Sequence, residues 1–164
     1  MINPLSLKVR NRINLTHFII TLFILGGCVD GNTVYHSSRD VSVLGWHPKD
    51  TLLWTLTPPD TTLRYAVGLN IRHDNSYAYQ NIGLEITVQK GDTLISCDTL
   101  NLSLTDSKGN WNGHGWGSLY ETSYGYKEIN FPMQGSYTFL IRPCMNDWDL
   151  KGVTSVGLSV RRDQ

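Results

Sequence analysis

Between residues 51 and 161, apolar side chains recur at every second position. Leu63, Tyr65, Val67, Leu69 and Ile71 share one parity, while Arg64, Ala66, Gly68, Asn70 and Arg72 share the other. Successive side chains of an extended chain point to opposite faces, so this pattern describes a strand with one face in a core. The same alternation returns in Ile82, Leu84, Ile86 and Val88, in Leu100, Leu102 and Leu104, in Tyr137, Phe139 and Ile141, and in Val156, Leu158 and Val160. Pro58-Pro59-Asp60, Lys90-Gly91-Asp92 and Pro132-Met133-Gln134-Gly135 punctuate these runs as turns. No long stretch keeps a helical period. About eight short strands separated by turn signals predict an all-β chain, an antiparallel β-sandwich of jelly-roll type. A long loop is expected from residue 105 to about 124, and a short strand near 127–131.

Ahead of this pattern stands a different kind of segment. Lys8, Arg10 and Arg12 precede the apolar run Phe18-Ile19-Ile20-Thr21-Leu22-Phe23-Ile24-Leu25, and Gly26-Gly27-Cys28 closes it. A basic flank, a short apolar run and small residues at a cut site make a secretory signal. The run is too short for a membrane span, which needs about 20 apolar residues. Leu25-Gly26-Gly27-Cys28 resembles the bacterial lipobox, in which the cysteine sulfur receives a diacylglyceryl group and the chain is cut before that cysteine. The expected organisation is therefore a lipoprotein signal peptide over 1–27, a lipidated N-terminus and tether over 28–44, and the sandwich over 45–164. The tether is polar and weakly patterned, with a late edge-strand pairing expected around Val41-Ser42-Val43.

The three basic residues ahead of Cys28 leave with the signal. Eleven Lys and Arg then face fourteen Asp and Glu, a formal charge of −3. A mildly acidic chain without a basic run argues against nucleic acid as a partner. Cys97 and Cys144 form an even pair that an oxidising compartment would let join as a disulfide; the alternative is two separate buried thiols, each acting as a small hydrophobe. No cofactor or metal is expected. Asp106-Ser107-Lys108-Gly109-Asn110 begins like a calcium loop, but Lys108 stands where a ligand is needed. His36, His47, His73 and His114 lack ligand spacing, and no serine-nucleophile motif occurs, so no catalytic residue is assigned.

The most unusual segment is Gly109-Asn110-Trp111-Asn112-Gly113-His114-Gly115-Trp116-Gly117-Ser118-Leu119-Tyr120. Glycines alternate there with large rings, and Tyr124 and Tyr126 follow. Two readings stand side by side. Trp111, His114, Trp116, Tyr120, Tyr124 and Tyr126 form a contact surface for a protein partner or a glycan, because flat rings anchor interfaces and stack on sugars. Alternatively, Trp111 and Trp116 fold back and cap one end of the sandwich, as large rings mostly do.

Several of these pieces, in their order, resemble the GldH family of gliding-motility lipoproteins of the Bacteroidetes. They are Cys28 followed by Val34-Tyr35, Gly45-Trp46-His47, Leu69-Asn70-Ile71-Arg72-His73, Tyr79-Gln80-Asn81, Gly109-Asn110-Trp111, Phe131-Pro132, Gly135-Ser136-Tyr137-Thr138-Phe139 and Gly152-Val153. The resemblance spans nearly the whole chain after Cys28. It implies a non-catalytic lipoprotein of the cell envelope, lipid-anchored at the outer membrane, whose partners are envelope proteins of the gliding and associated secretion machinery. The other class of function compatible with the residues is a surface glycan-binding lipoprotein that uses the aromatic loop.

Overall fold

A computed structural model describes residues 31–163. The expected signal peptide over 1–27 and the lipidation at Cys28 lie outside the described residues. The described chain holds nine strands and no helix: β1 (Thr33–Asp40), β2 (Leu52–Leu56), β3 (Arg64–Asp74), β4 (Asn81–Lys90), β5 (Thr93–Ser103), β6 (His114–Trp116), β7 (Leu119–Asn130), β8 (Tyr137–Pro143) and β9 (Val153–Arg162). They form two antiparallel sheets, ordered β1-β9-β3-β7-β6 and β2-β8-β4-β5. Apart from the short β6, the chain shuttles between the sheets in the order of a jelly roll, the fold the alternation predicts.

The alternating parity decides which side chains meet. Tyr65, Val67, Leu69 and Ile71 of β3 and Val156, Leu158 and Val160 of β9 face Ile82, Leu84, Ile86 and Val88 of β4 and Phe139 and Ile141 of β8, all buried. Tyr65, Phe131, Tyr137 and Phe139 fill one end of this layer, with Phe131 5.5 Å from Tyr65 and 4.7 Å from Tyr137 between ring centroids. Burying a side chain of this size contributes roughly 1.5–3 kcal/mol.

Three elements differ from the sequence expectation. The stretch 28–44 is not a tether throughout, because Thr33–Asp40 is a full edge strand paired to β9 from Thr33↔Arg161 to Asp40↔Ser155. Only Val34 and Tyr35 of its side chains pack against the core, so it carries no long alternation to read. It is held by its backbone ladder, by the Trp54 indole N–H donating to Ser37 O at 3.0 Å, and by Arg39 Nε donating to Leu53 O at 3.3 Å. The expected long loop after residue 105 is largely a hairpin. Trp116 pairs with Leu119 across a two-residue turn whose first residue, Gly117, has φ +65°, the geometry a tight hairpin needs there. Cys97 and Cys144, for which a disulfide and two buried thiols stood as alternatives, form neither. Cys97 lies opposite Thr87, whereas Cys144 donates its N–H to Gly83 O on the other flank of β4. Four residues of strand, about 13 Å, separate those levels, beyond the Cα spacing a disulfide tolerates. Both are exposed free thiols.

The antiparallel pairing gives the sandwich two distinct ends. Thr33, Leu56, Arg64, Lys90, Asn130 and Arg162 bound the end where the chain enters β1 and leaves β9. Asp40, Leu52, Asp74, Asn81, Ser103, Leu119, Pro143 and Val153 bound the far end. The loops 41–51, 75–80, 104–113 and 144–152 all gather at that far end.

Candidate functional site

The far end is built around a buried histidine. His73, the last inward residue of β3, is fully buried. Trp111 meets it edge-on at 4.5 Å, Tyr120 stacks at 5.5 Å and Tyr77 tilts against it at 5.6 Å. The aromatic loop thus folds back over the end of the core, and the rings of Trp111 and Tyr120 are committed to this packing. Gly113 makes the return possible: its φ is +91°, and a Cβ there would lie 2.0 Å from Glu121 O. Asp106 closes the same loop upon itself, accepting from Lys108 N–H at 2.8 Å and from Asn110 N–H and Nδ2 at 2.9 Å each. These bonds, with Asn110 first among them, hold its carboxyl below the usual range. The residues that look like a calcium loop are therefore a self-capped turn.

The remaining residues of the expected contact surface separate. His114 is exposed on β6. Trp116 contributes its backbone to β6, and the expectation for its ring lies outside what is described. Tyr124 and Tyr126 are half-buried and reach across the open edge between the sheets. Tyr124 OH donates to Ser103 O at 2.5 Å. Between Val67↔Lys127 and Gly68↔Gly125 the β3–β7 register slips, so Tyr126 is an extra residue. Such a bulge re-aims its neighbours. Tyr126 OH and Lys127 Nζ both donate to Asp98 Oδ2, Lys127 at 2.6 Å, and Lys127 also donates to Ser96 Oγ at 3.0 Å. Lys127, then Tyr126, hold the Asp98 carboxyl low, whereas burial and then the Asp98 bond push the Tyr126 phenol up. An inward-facing charge also discourages β5, a long edge strand, from recruiting another strand.

Burial is the main cause that lowers the pKa of His73, opposed by its contacts with Asp74. The groups facing it are Asp74 on its own strand, Tyr77 and Trp111 from the loops, and Tyr120 from β7. The unfolded chain takes up a proton near the ordinary value of 6.5, while the folded chain resists it. This contribution to stability is complete above that pH and is lost as the pH falls through it. Melting temperatures measured between pH 7.5 and 5.5 are expected to fall with pH in the native chain and to flatten in His73→Phe. Equal slopes would show that the buried imidazole does not set the dependence.

Sequence reasoning missed the side chains that the far end exposes. Trp148 is 69% exposed, Val43 98% and Leu44 79%. Their two loops are fixed side by side: Trp46 exchanges N–H···O bonds with Leu150 at 3.0 and 3.1 Å, and the Trp46 indole donates to Asp50 O at 2.8 Å. His47 lies 5.5 Å from the Trp148 ring. Two shallow hollows lie at this end, and the indole lines one of them. One, about 310 Å³, is lined by Tyr79, Asp147, Trp148 and Asp149. The other, about 430 Å³, is lined by Asp40, Val41, Val43, Asp74 and Val153. Ser76 and Lys151 line both. The available signal was a tryptophan set between Asp147 and Asp149 in a loop, a poor context for burial.

The described chain is thus a jelly roll with an aromatic-capped far end and a rigid, partly apolar rim. A family model for the GldH lipoprotein matches residues 33–160, and the chain belongs to that family. A gliding motility lipoprotein GldH homolog of Christiangramia forsetii is 28% identical over 162 residues, covering 94% of this chain and 98% of the relative. The gliding motility lipoprotein GldH of Flavobacterium johnsoniae is 23% identical over 151 residues, covering 88% and 93%. Among solved structures, the CBM35 from Cellvibrio japonicus Abf62 is 16% identical, with 84% of this chain and 87% of that one covered at a TM-score of 0.39. A structure of Tomato Aspermy Virus covers 94% of both chains at 9% identity and a TM-score of 0.36.

Proposed function

We propose that this chain is a lipid-anchored, non-catalytic component of the cell envelope, acylated on Cys28, held at the outer membrane, and serving gliding motility and the secretion apparatus associated with it. The observation that carries the reading is family membership over 33–160 behind a basic, apolar, Gly-Gly-Cys segment. The path from Cys28 to Thr33 is five residues, at most about 18 Å when extended. A lipid on Cys28 keeps the end bearing Thr33 and Arg162 near the bilayer and leaves the far end free to meet other envelope proteins.

A single acyl chain binds membranes only marginally, at about 0.8 kcal/mol per buried CH₂, so stable anchoring needs the several chains a lipoprotein cysteine carries. Cys28→Ser is expected to leave the protein in the soluble fraction or stalled with its signal uncut, read by fractionation and intact mass. Normal processing and membrane retention of that variant would overturn the anchor. Deletion of the gene is expected to impair gliding or secretion in a host that has the apparatus; a deletion strain normal in both would remove the role.

A further inference from the structure

We propose that the far-end rim around Trp148 is a docking site for a protein surface that presents apolar and basic side chains. The inference deepens the proposed function and rests on its docking reading. Three observations converge. Trp148, Val43 and Leu44 are large apolar groups left in solvent on two loops that are clamped together rather than free to collapse. Tryptophan is enriched among the few residues that carry most of an interface's binding energy. Trp148 lines one hollow with Asp147 and Asp149, the neighbouring hollow that shares Ser76 and Lys151 with it holds Asp40 and Asp74, and Lys151 is the one ammonium in either lining.

Two of those carboxylates are already engaged. Asp74 Oδ1 accepts from Ser76 N–H at 2.7 Å, and Asp147 Oδ2 accepts from Tyr79 OH at 2.5 Å. Asp40 and Asp149 are exposed, and among the described residues their carboxylates form no hydrogen bond or ion pair. An apolar centre with an acidic margin matches a partner with the opposite margin, and such complementarity sets encounter rate and register. The same margin disfavours a surface of anionic lipid.

The test uses the full-length lipoprotein in its native membranes. A benzophenone amino acid replaces Trp148 in one strain and, as a control, Thr99 on the outer face of β5 in another. Illumination is expected to give a discrete protein adduct from position 148 and none from 99. Mass spectrometry of the crosslinked peptide is expected to find Lys or Arg within a few residues of the attachment point. Asp40→Lys combined with Asp149→Lys should reduce that adduct at least tenfold at unchanged melting temperature, and added salt should reduce it in the parent strain. An adduct only with lipid, with polysaccharide or with a second copy of this chain would overturn the proposal. So would no adduct, a partner segment without basic residues, or an adduct indifferent to charge reversal. Failure of the anchor appears separately, as protein in the soluble fraction.

Discussion

Replacing Trp54 by Ala is expected to cost about 3–5 kcal/mol, the range for emptying a large aromatic site in a packed core. The indole has no exposure to solvent, and its N–H donates to Ser37 O at 3.0 Å. One side chain therefore does two jobs. Its ring fills the layer between the sheets, and its donor fastens β1 from the opposite sheet. Trp54→Phe separates these jobs, keeping most of the volume and losing the bond, with an expected cost of about 1 kcal/mol for that bond plus a small packing loss. For a chain of this length the Ala variant should melt some 10–20 °C lower. Amide exchange gives the second readout: protection of residues 33–40 should fall in both variants, and further in Ala. An Ala variant that melts within two or three degrees of the parent would mean that the core closes without this residue.

The role of Trp54 also marks where the sequence was legible and where it was not. β3, β4, β8 and β9 announce themselves because each places alternate residues in the core, so burial writes its period into the chain. β1 does not. Tyr35 packs partly against the core, but Ser38, Arg39 and Asp40 face solvent, and the strand exists because β9 offers it a free ladder. Backbone pairing leaves no trace in side-chain pattern. The hairpin of β6 and β7 was hidden for a different reason: its glycines read as loop, while in the fold Gly113 permits a close backbone approach and Gly117 a tight turn. At the far end, the rings of the aromatic loop were visible but their direction was not. Whether Trp111 turns inward depends on His73, thirty-eight positions earlier in the chain, offering it a face. Trp148 was passed over because a lone ring in a polar loop shows neither period nor spacing, and only the folded chain reveals that Leu44 and Val43 stand exposed on the loop clamped beside it.

Gly152→Ala is expected to destabilise the chain by more than the roughly 1–2 kcal/mol that a left-handed backbone alone costs an L residue. Gly152 has φ +86°, and a Cβ built there lies 2.3 Å from Tyr77 N and 2.6 Å from its Cα. These are backbone atoms, so no rotamer change relieves the contact. Moving the loop apart would break the bond from Asp74 N–H to Gly152 O, now 2.8 Å, and would pull Tyr77 from its place against His73. Gly91→Ala is the matched control: its φ is +56°, but no atom lies within 4 Å of the added Cβ. The control should show only the conformational cost, so the difference between the two variants measures the clash. The Gly152 variant carries a second consequence, because Gly152 joins Lys151 to β9 beneath the Trp148 rim. If it folds at lower temperature, its crosslink from position 148 should weaken even though no rim side chain has changed, whereas Gly91→Ala should leave that crosslink intact. Equal melting temperatures for the two variants would show that the 75–80 and 144–152 loops are not locked against each other, and the rigidity on which the docking surface depends would go with them.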